Sequence, residues 1–253
     1  MPYKRGRPLA DLSLPFEFAS ALTFYLLWPI AELINFIFFS GTYENRWKLK
    51  PFKKAILVAN HTNAFDPVHL SGMVLPYRTW HTLLEATVLT PFLGTFIRLL
   101  GGVPIPLGLS GLNRLLRFAE IGLTYRRFIL FYPEGECYLY NQEIQDFKPG
   151  AFYISASLDL PVIPLVTIFS EGPHKRRTFL GRPFPKQKTI ALDAVYPSDY
   201  VRKDDKGDFT PASIREFGEA VRQKMQQEIY QRSGTMAYYK GHMERMKGIN
   251  DRR

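Results

Sequence analysis

A histidine and an aspartate stand five residues apart, at His61 and Asp66, directly after the apolar run of residues 55–59. Such a run is typical of a buried strand, and an open α/β sheet places its chemistry just outside the carboxyl ends of its strands. Histidine accepts a proton near neutral pH, and a carboxylate can fix its tautomer and stabilise the cation that forms. The pair therefore predicts a general base, His61, oriented by Asp66.

The same residues also have a purely structural interpretation. Asp66 precedes Pro67, and many helices begin with Asp at the N-cap and Pro at the first helical position. A helix that begins there would hold the Asp66 carboxylate at a fixed place near His61. The two interpretations are compatible, and the sequence leaves both open.

Beyond this pair, short apolar runs alternate with helical patterns. We expect strands at residues 55–59, 79–84, 103–107, 128–132, 161–168, 178–180 and 189–194, with an edge position for the proline-containing 103–107. We expect helices at residues 66–75, 90–100, 110–125 and 150–158, and one that begins at Thr210-Pro211. This alternation predicts an α/β fold with a mostly parallel central sheet flanked by helices.

An apolar segment near the N-terminus predicts an N-terminal helical membrane-anchoring segment. Its uncharged part, residues 18–31, is shorter than the roughly 20 residues of a spanning helix, and Pro29 should kink or split it. Basic residues flank it on both sides, which favours a kinked helical pair in one leaflet over a full span. A helical hairpin packed on the protein's own core is the alternative. We divide the chain into an anchor (1–45), an α/β domain (46–232) and a basic tail (233–253), either a frayed helix or disordered.

The net charge of +10 fits an anionic membrane surface or an anionic substrate. Nucleic acid is the weakest candidate partner, because the chain has no zinc-ligand spacing, no arginine-rich arm and no aromatic pattern of an RNA-binding sheet. The single Cys137 excludes an internal disulfide and fits a reducing compartment. We therefore expect a protein on the cytoplasmic face of the cell membrane, monotopic or peripheral.

Four segments, in this order, resemble the signature blocks of the glycerolipid acyltransferase family, also called PlsC-like or lysophospholipid acyltransferases. The first block is residues 60–66, the second is Gly102-Val103-Pro104-Ile105-Pro106, the third is Tyr132-Pro133-Glu134-Gly135, and the fourth is residues 160–165. The resemblance covers roughly residues 46–194, so it implies an acyltransferase domain at residues 46–232.

The resemblance implies transfer of a fatty acyl group from a thioester, acyl-CoA or acyl carrier protein, to a lipid hydroxyl. His61 would deprotonate the hydroxyl and then protonate the departing thiolate, while Asp66 stabilises the imidazolium. The family places the glutamate and glycine of the third block, here Glu134 and Gly135, at the acceptor pocket. Backbone N–H groups near Gly135 could hold the developing oxyanion. The implied partners are the bilayer and the thioester co-substrate; no metal and no further cofactor are expected.

The chain departs from the family where phosphate-binding cations are usual. Leu107 stands where the second block, which includes Gly102, ends in arginine, and Glu136-Cys137 replace the Thr-Arg of the third block. Leu83 or Leu84, beside Glu85, replaces a common lysine. These losses, with Glu136 added to the expected acceptor site, should weaken binding of a phosphate monoester. Cations from elsewhere could substitute; the candidates are Arg98, Lys148, His174, Lys175, Arg176 and Arg177.

Several functions therefore stay open. A lysophospholipid is the first acceptor to consider, and a glycolipid or another lipid alcohol is the alternative. A catalytically inactive lipid-binding relative is a further possibility. A lipid hydrolase is disfavoured, because the sequence has no Gly-x-Ser-x-Gly nucleophile elbow.

Overall fold

Seven strands form one sheet in the order β1-β7-β6-β2-β5-β3-β4. The computed structural model describes residues 3–106, 108–170 and 185–244. The strands are β1 (Thr42–Glu44), β2 (Ala55–Ala59), β3 (Thr79–Leu84), β4 (Gly102–Ile105), β5 (Phe128–Phe131), β6 (Val162–Ser170) and β7 (Lys186–Ala191). Strands β2 to β6 run in one direction, and β7 pairs antiparallel with β6 and parallel with β1. The prediction of a mostly parallel α/β sheet is confirmed.

Helices cover both faces of this sheet. They are α1 (Leu14–Phe39), α2 (Asp66–Val74), α3 (Glu85–Leu89), α4 (Leu93–Leu99), α5 (Gly108–Tyr125), α6 (Gly150–Ser157) and α7 (Pro211–Gln231). In β2, Ile56 and Val58 pack into the apolar cluster that contains residues of α5, α6 and α7. Leu57 packs on the other face with residues of α2. A strand buried on both faces needs no polar alternation, which explains the unbroken apolar run before His61.

The N-terminal apolar segment is one helix of 26 residues, not the predicted pair. Pro29 lies within it on an exposed face. Contacts with the domain hold the helix on both sides of this proline: Glu17 pairs with Arg78 and Arg126, and Asn35 donates to the Tyr43 hydroxyl. The helix is long and apolar enough to cross a membrane, by length and composition.

The segment after β3 also differs from its prediction. The sequence predicts a single helix over residues 90–100 with Thr90 as its cap. The helix found there, α4, begins only at Leu93, and a further short helix, α3, precedes it. Phe92 separates them with a left-handed φ of 58°. This conformation is uncommon for a bulky residue, and it ends one helix and redirects the chain into the next.

The C-terminal tail is ordered as far as the structure describes it. Residues 240–243 form three backbone hydrogen bonds with residues 137–139, so the prediction of a frayed basic helix or a disordered tail is wrong for this stretch. Strand β1 was not predicted, because three residues give too short a pattern to recognise. The strand expected at residues 178–180 lies outside the described residues.

Candidate active site

The Asp66 carboxylate is fully buried at the start of α2 and is turned back towards the loop that precedes this helix. Its Oδ2 accepts the N–H groups of Thr62 at 2.6 Å and of Asn63 at 3.0 Å. Its Oδ1 accepts the Thr62 hydroxyl at 3.0 Å. These donors replace water around the carboxylate, which is the condition for burying such a group. The N-cap is Phe65 rather than Asp66, so the capping interpretation is wrong.

The His61 imidazole meets this carboxylate. Its Nδ1 lies 2.8 Å from Oδ2 of Asp66. Because an ionised carboxylate can only accept, Nδ1 carries the proton and Nε2 is left with a lone pair. The ring stacks on Tyr132, with centroids 4.2 Å apart and planes 23° apart. The His61 side chain is 22% exposed, so a second reactant can reach it while the Asp66 side behind it is closed to water.

Glu134 holds the backbone of the same histidine. Its Oε1 accepts the His61 N–H at 2.9 Å, and its Oε2 accepts the Gln145 N–H at 3.0 Å. Burial raises the pKa of Glu134 to about 7, and these two backbone N–H bonds offset part of that shift. Both carboxylate oxygens are thus used inside the protein. A contact between Glu134 and the acceptor stays a prediction.

A strap of four residues, Cys137 to Tyr140, supports the histidine loop from the outside. The Tyr138 N–H donates to the His61 carbonyl at 2.9 Å, and the Tyr140 N–H donates to the Thr62 carbonyl at 2.8 Å. Tyr140 has a left-handed φ of 58°, and its ring meets Phe169 edge to face at 5.2 Å. The strap therefore holds the backbone of His61, which carries the imidazole, and of Thr62, which donates to Asp66.

Gly135 follows Glu134 in a tight turn with φ of 71°, where glycine is favoured. Its N–H donates to the Tyr132 carbonyl at 3.0 Å, so this N–H already has an acceptor. The ammonium of Lys148 lies against Gly135, at a place that a β-carbon on this residue would occupy. Of the cations considered as substitutes, Lys148 is thus placed at the third block, beside Glu136.

The second block is more distant. Gly102 is the first residue of β4, at the amino end of this edge strand, whereas His61 lies beyond the carboxyl end of β2. The structure therefore does not bring Gly102 to His61, and Leu107 lies outside the described residues. Arg98 is buried on α4 under the Tyr3 ring. The other candidate cations, at positions 174 to 177, are likewise outside the described residues.

Two phenylalanine rings lie together at the histidine loop. Phe65, four residues after His61, is 49% exposed, and its ring centroid lies 6.0 Å from that of Phe39 at the end of α1. Phe39 in turn packs edge to face on His69 of α2 at 5.1 Å. The end of α1 is therefore adjacent to the histidine loop. This arrangement suits an acceptor that has a long apolar part.

A family model described as Acyltransferase matches residues 36–178, more than half of the chain. The chain belongs to this acyltransferase family. It is 30% identical over 123 residues to the 1-acyl-sn-glycerol-3-phosphate acyltransferase of Haemophilus influenzae, an alignment that covers 46% of this chain and 49% of the relative. The chain thus spans about half the length of that curated relative.

The acyltransferase fold extends over most of the chain. The crystal structure of PlsC, the 1-acyl-sn-glycerophosphate (LPA) acyltransferase of Thermotoga maritima, matches with a TM-score of 0.60 and 18% identity. The match covers 89% of this chain and 86% of PlsC. At this identity the likeness concerns the fold.

Sequence reasoning missed several residues that shape this acyltransferase site. Tyr132 was assigned only to a strand and to the third block, yet its ring stacks on His61. The only sign in the sequence that Tyr132 belongs to the site is its position directly before Pro133-Glu134. Gln145, Tyr138 and Tyr140 act through backbone N–H groups. Such bonds leave no mark on residue type, so the sequence could not reveal them.

Proposed function

We propose that this protein is an O-acyltransferase that moves a fatty acyl group from an acyl thioester to the hydroxyl of a lipid, at the cytoplasmic face of the cell membrane. The observation that carries the proposal is the 2.8 Å contact between His61 Nδ1 and the buried Asp66. It fixes the imidazole with Nε2 available as a base. Family membership supports acyl transfer as the reaction class.

The mechanism follows from the protonation state of His61. Nε2 accepts the proton of the acceptor hydroxyl while the hydroxyl oxygen attacks the thioester carbonyl carbon. The resulting imidazolium is stabilised by Asp66, whose carboxylate also accepts N–H and hydroxyl groups of Thr62 and Asn63. When the carbon–sulfur bond breaks, Nε2 returns the proton to the thiolate. No covalent acyl-enzyme is required, because donor and acceptor are bound together and proximity supplies much of the rate.

The surface of α1 supports attachment to a membrane. Its polar residues face the protein: Glu17 bonds to Arg78 at 2.8 Å and to Arg126 at 2.9 Å, and Ser20 bonds to the Leu99 carbonyl. Its large apolar residues face outwards, including Leu14, Phe18, Leu22, Leu26, Ile30, Leu33, Phe36 and Ile37. This is the reverse of a helix on a water-soluble domain, and it matches a helix whose outer face contacts lipid.

Two further features support a monotopic position over a full span. The helix makes polar contacts with the domain from Glu17 to Asn35, so it lies along the protein surface. The turn between α3 and α4 adds exposed Leu89, Phe92, Leu93 and Phe96, and α4 packs beside α1. An apolar surface of this extent marks a site of membrane or protein contact.

The charges near Gly135 bear on the choice between two classes of acceptor. A lysophospholipid is the first candidate, because Lys148 supplies one cation beside the third block. The absence of the family's arginines and the presence of Glu136 favour the alternative, a glycolipid or another lipid alcohol without a phosphate monoester. Acyl-CoA and acylated acyl carrier protein are both anionic donors, and both suit the positive net charge.

The test is an acyl-transfer assay in detergent micelles with labelled acyl-CoA or acylated carrier protein. The acceptor panel contains a lysophosphatidic acid, a zwitterionic lysophospholipid, a glycolipid and a neutral acylglycerol. We expect transfer to at least one acceptor, and we expect His61→Ala to reduce it by at least about 10³-fold. Thermal unfolding checks that the variant is folded. Full activity in His61→Ala would refute the mechanism, and no transfer with any pair of substrates would favour the inactive lipid-binding alternative.

A further inference from the structure

The strap of residues 137–140 is hydrogen-bonded along both of its edges. One edge bonds to the histidine loop through the N–H groups of Tyr138 and Tyr140. The other edge bonds to the C-terminal tail. There, the Leu139 N–H donates to the Gly241 carbonyl at 2.8 Å, and the Leu139 carbonyl accepts the Lys240 N–H at 3.1 Å. The Cys137 carbonyl accepts the Met243 N–H at 2.7 Å.

The tail reaches this position by an ordered route after α7. The Thr235 N–H donates to the Phe169 carbonyl at 3.0 Å, which ties the tail to the end of β6. Met236 accepts the Gln142 N–H on its sulfur at 3.2 Å. The Lys240 ammonium lies 5.5 Å from the centre of the Tyr140 ring, a cation–π contact with the strap itself. The tail is thus fastened both to the sheet and to the strap.

We propose that residues 240–243 are a positioning element for the catalytic histidine, which acts through the strap. The proposal rests on the proposed function of His61. The tail, the strap and the histidine loop are three neighbouring segments joined by backbone hydrogen bonds, and the strap is the middle one. Without the tail, one edge of the strap loses all three of its bonds to residues 240–243, and the bonds of the other edge to the histidine loop restrain the strap less firmly.

The physical reason lies in the partial exposure of the strap. Residues 138–140 are only partly buried, and active-site loops of this kind open locally at low free-energy cost. If the strap shifts, the carbonyls of His61 and Thr62 lose their donors, and the imidazole moves relative to the reacting hydroxyl. A displacement of about 1 Å at such a place can reduce the rate by roughly 10²-fold.

The burial pattern separates this role from ordinary stabilisation. Lys240 and His242 are exposed, and Gly241 and Met243 are only partly buried. The tail therefore removes little apolar surface from water and should contribute little to global stability. Its bonds are concentrated on one segment, and that segment contacts the histidine loop. Loss of the tail should lower kcat far more than it lowers the melting temperature.

Two matched pairs of variants test the proposal. Met243→Pro removes the N–H that bonds to Cys137, whereas Met243→Ala keeps it. A chain that ends at Tyr239 lacks the paired segment, whereas a chain that ends at Glu244 retains it. We expect Met243→Pro and the chain ending at Tyr239 to lose about 10- to 100-fold in kcat, with KM within about twofold. Met243→Ala and the chain ending at Glu244 should stay within about twofold of the full chain in both constants.

Amide hydrogen exchange gives a readout that does not depend on activity. The N–H groups of Tyr138 and Tyr140 should exchange at least about tenfold faster in Met243→Pro and at the wild-type rate in Met243→Ala. Unchanged exchange and unchanged kcat in both disruptive variants would overturn the proposal. A rise in KM at constant kcat, or a loss of kcat that only follows a lower melting temperature, would also overturn it. His61→Ala in the same assay separates the two proposals. Activity retained in this variant refutes the role of His61 as the base, and it leaves the pairing of the tail with the strap untouched.

Discussion

At the scale of single residues, three side chains restrain His61 from three directions. Asp66 binds Nδ1, Tyr132 covers one face of the ring, and Glu134 holds the backbone N–H. The first restraint selects the tautomer, and the other two limit rotation and translation of the imidazole. A base fixed in this way needs little reorganisation when a hydroxyl arrives, which is the benefit of a preorganised site.

The Tyr132 ring and its hydroxyl should have separable effects. The hydroxyl is buried and has no hydrogen-bond partner within the described part of the chain. Tyr132→Phe keeps the stacked ring and removes this unpaired group, so we expect nearly unchanged kcat and a gain of roughly 1 kcal/mol in the free energy of unfolding. Tyr132→Leu removes the stacking face, and we expect kcat to fall by about tenfold or more. Denaturant unfolding and acyl-transfer kinetics measure the two effects; equal kcat in both variants would show that the stacking is dispensable.

At the scale of secondary-structure elements, most of the sheet could be predicted. Strands β2, β5 and β6 are buried, and their apolar runs are visible in the sequence. The spacing of His61 and Asp66 also predicted that their side chains meet, and they do. Predictions failed where distant contacts decide the outcome. Pro29 indicated a break in α1, but ion pairs and hydrogen bonds on both sides of it hold one helix.

The paired tail shows the same limit at the C-terminus. Residues 240–243 are a lysine, a glycine, a histidine and a methionine, with no strand periodicity. Their hydrogen-bond partners are backbone groups of residues 137–139, about 100 positions earlier in the chain. Local pattern carries no information about such a partner, because the bonds involve main-chain atoms that every residue has.

The turn between α3 and α4 should act as a second membrane contact beside α1. Phe92 in this turn is 93% exposed, and the turn follows α3, which begins directly after the carboxyl end of β3. Phe92→Asp places a charge where we expect lipid, and vesicle sedimentation with anionic liposomes should show at least about a fivefold weaker partition coefficient. Ile121→Asp is the matched control. Ile121 is 53% exposed near the end of α5, which leads to the amino end of β5, so its partition coefficient should be unchanged.

Equal loss in the two variants would mean that overall charge, rather than the turn, controls binding. Acyl transfer gives a second comparison. With acceptor embedded in vesicles, Phe92→Asp should lower the rate in proportion to the bound fraction of protein. With acceptor in detergent micelles at saturating concentration, its kcat should match the wild type, because the side chain at position 92 is almost fully exposed.

At the scale of the whole molecule, buried titratable groups make stability depend on pH in opposing ways. Burial raises the pKa of Glu134 to about 7, so the folded protein binds more protons than the unfolded chain between about pH 4.5 and 7, and stability falls as pH rises through that range. Burial lowers the pKa of His69 to about 4 and that of His81 to about 3. For these histidines the unfolded chain binds more protons below about pH 6.5, so stability falls as pH drops.

His69 offers the clearest test of this acid sensitivity. Its imidazole projects from the first turns of α2 and is buried against Phe39, near Asp66. Both ring nitrogens are unpaired among the described residues. The folded state must keep it neutral, whereas the unfolded chain protonates it below about pH 6.5. With a pKa of about 4 in the folded protein and about 6.5 in the unfolded chain, roughly 3 kcal/mol of stability is lost between pH 6.5 and 4. His69→Leu has similar volume and no proton to bind, so the free energy of unfolding should depend less steeply on acid pH.

Denaturant unfolding of both proteins in the same detergent at pH 7 and pH 5 measures this difference. At pH 7 we expect His69→Leu to be at least as stable as the wild type, because leucine removes two buried unpaired nitrogens. Between pH 7 and pH 5 the wild type should lose roughly 2 kcal/mol more than the variant, since the protonation of His69 in the unfolded chain is then close to complete. Parallel pH profiles would contradict a neutral buried His69. They would mean that the His69 imidazole can be protonated in the folded protein, because Phe39 moves away from α2 readily enough to admit water.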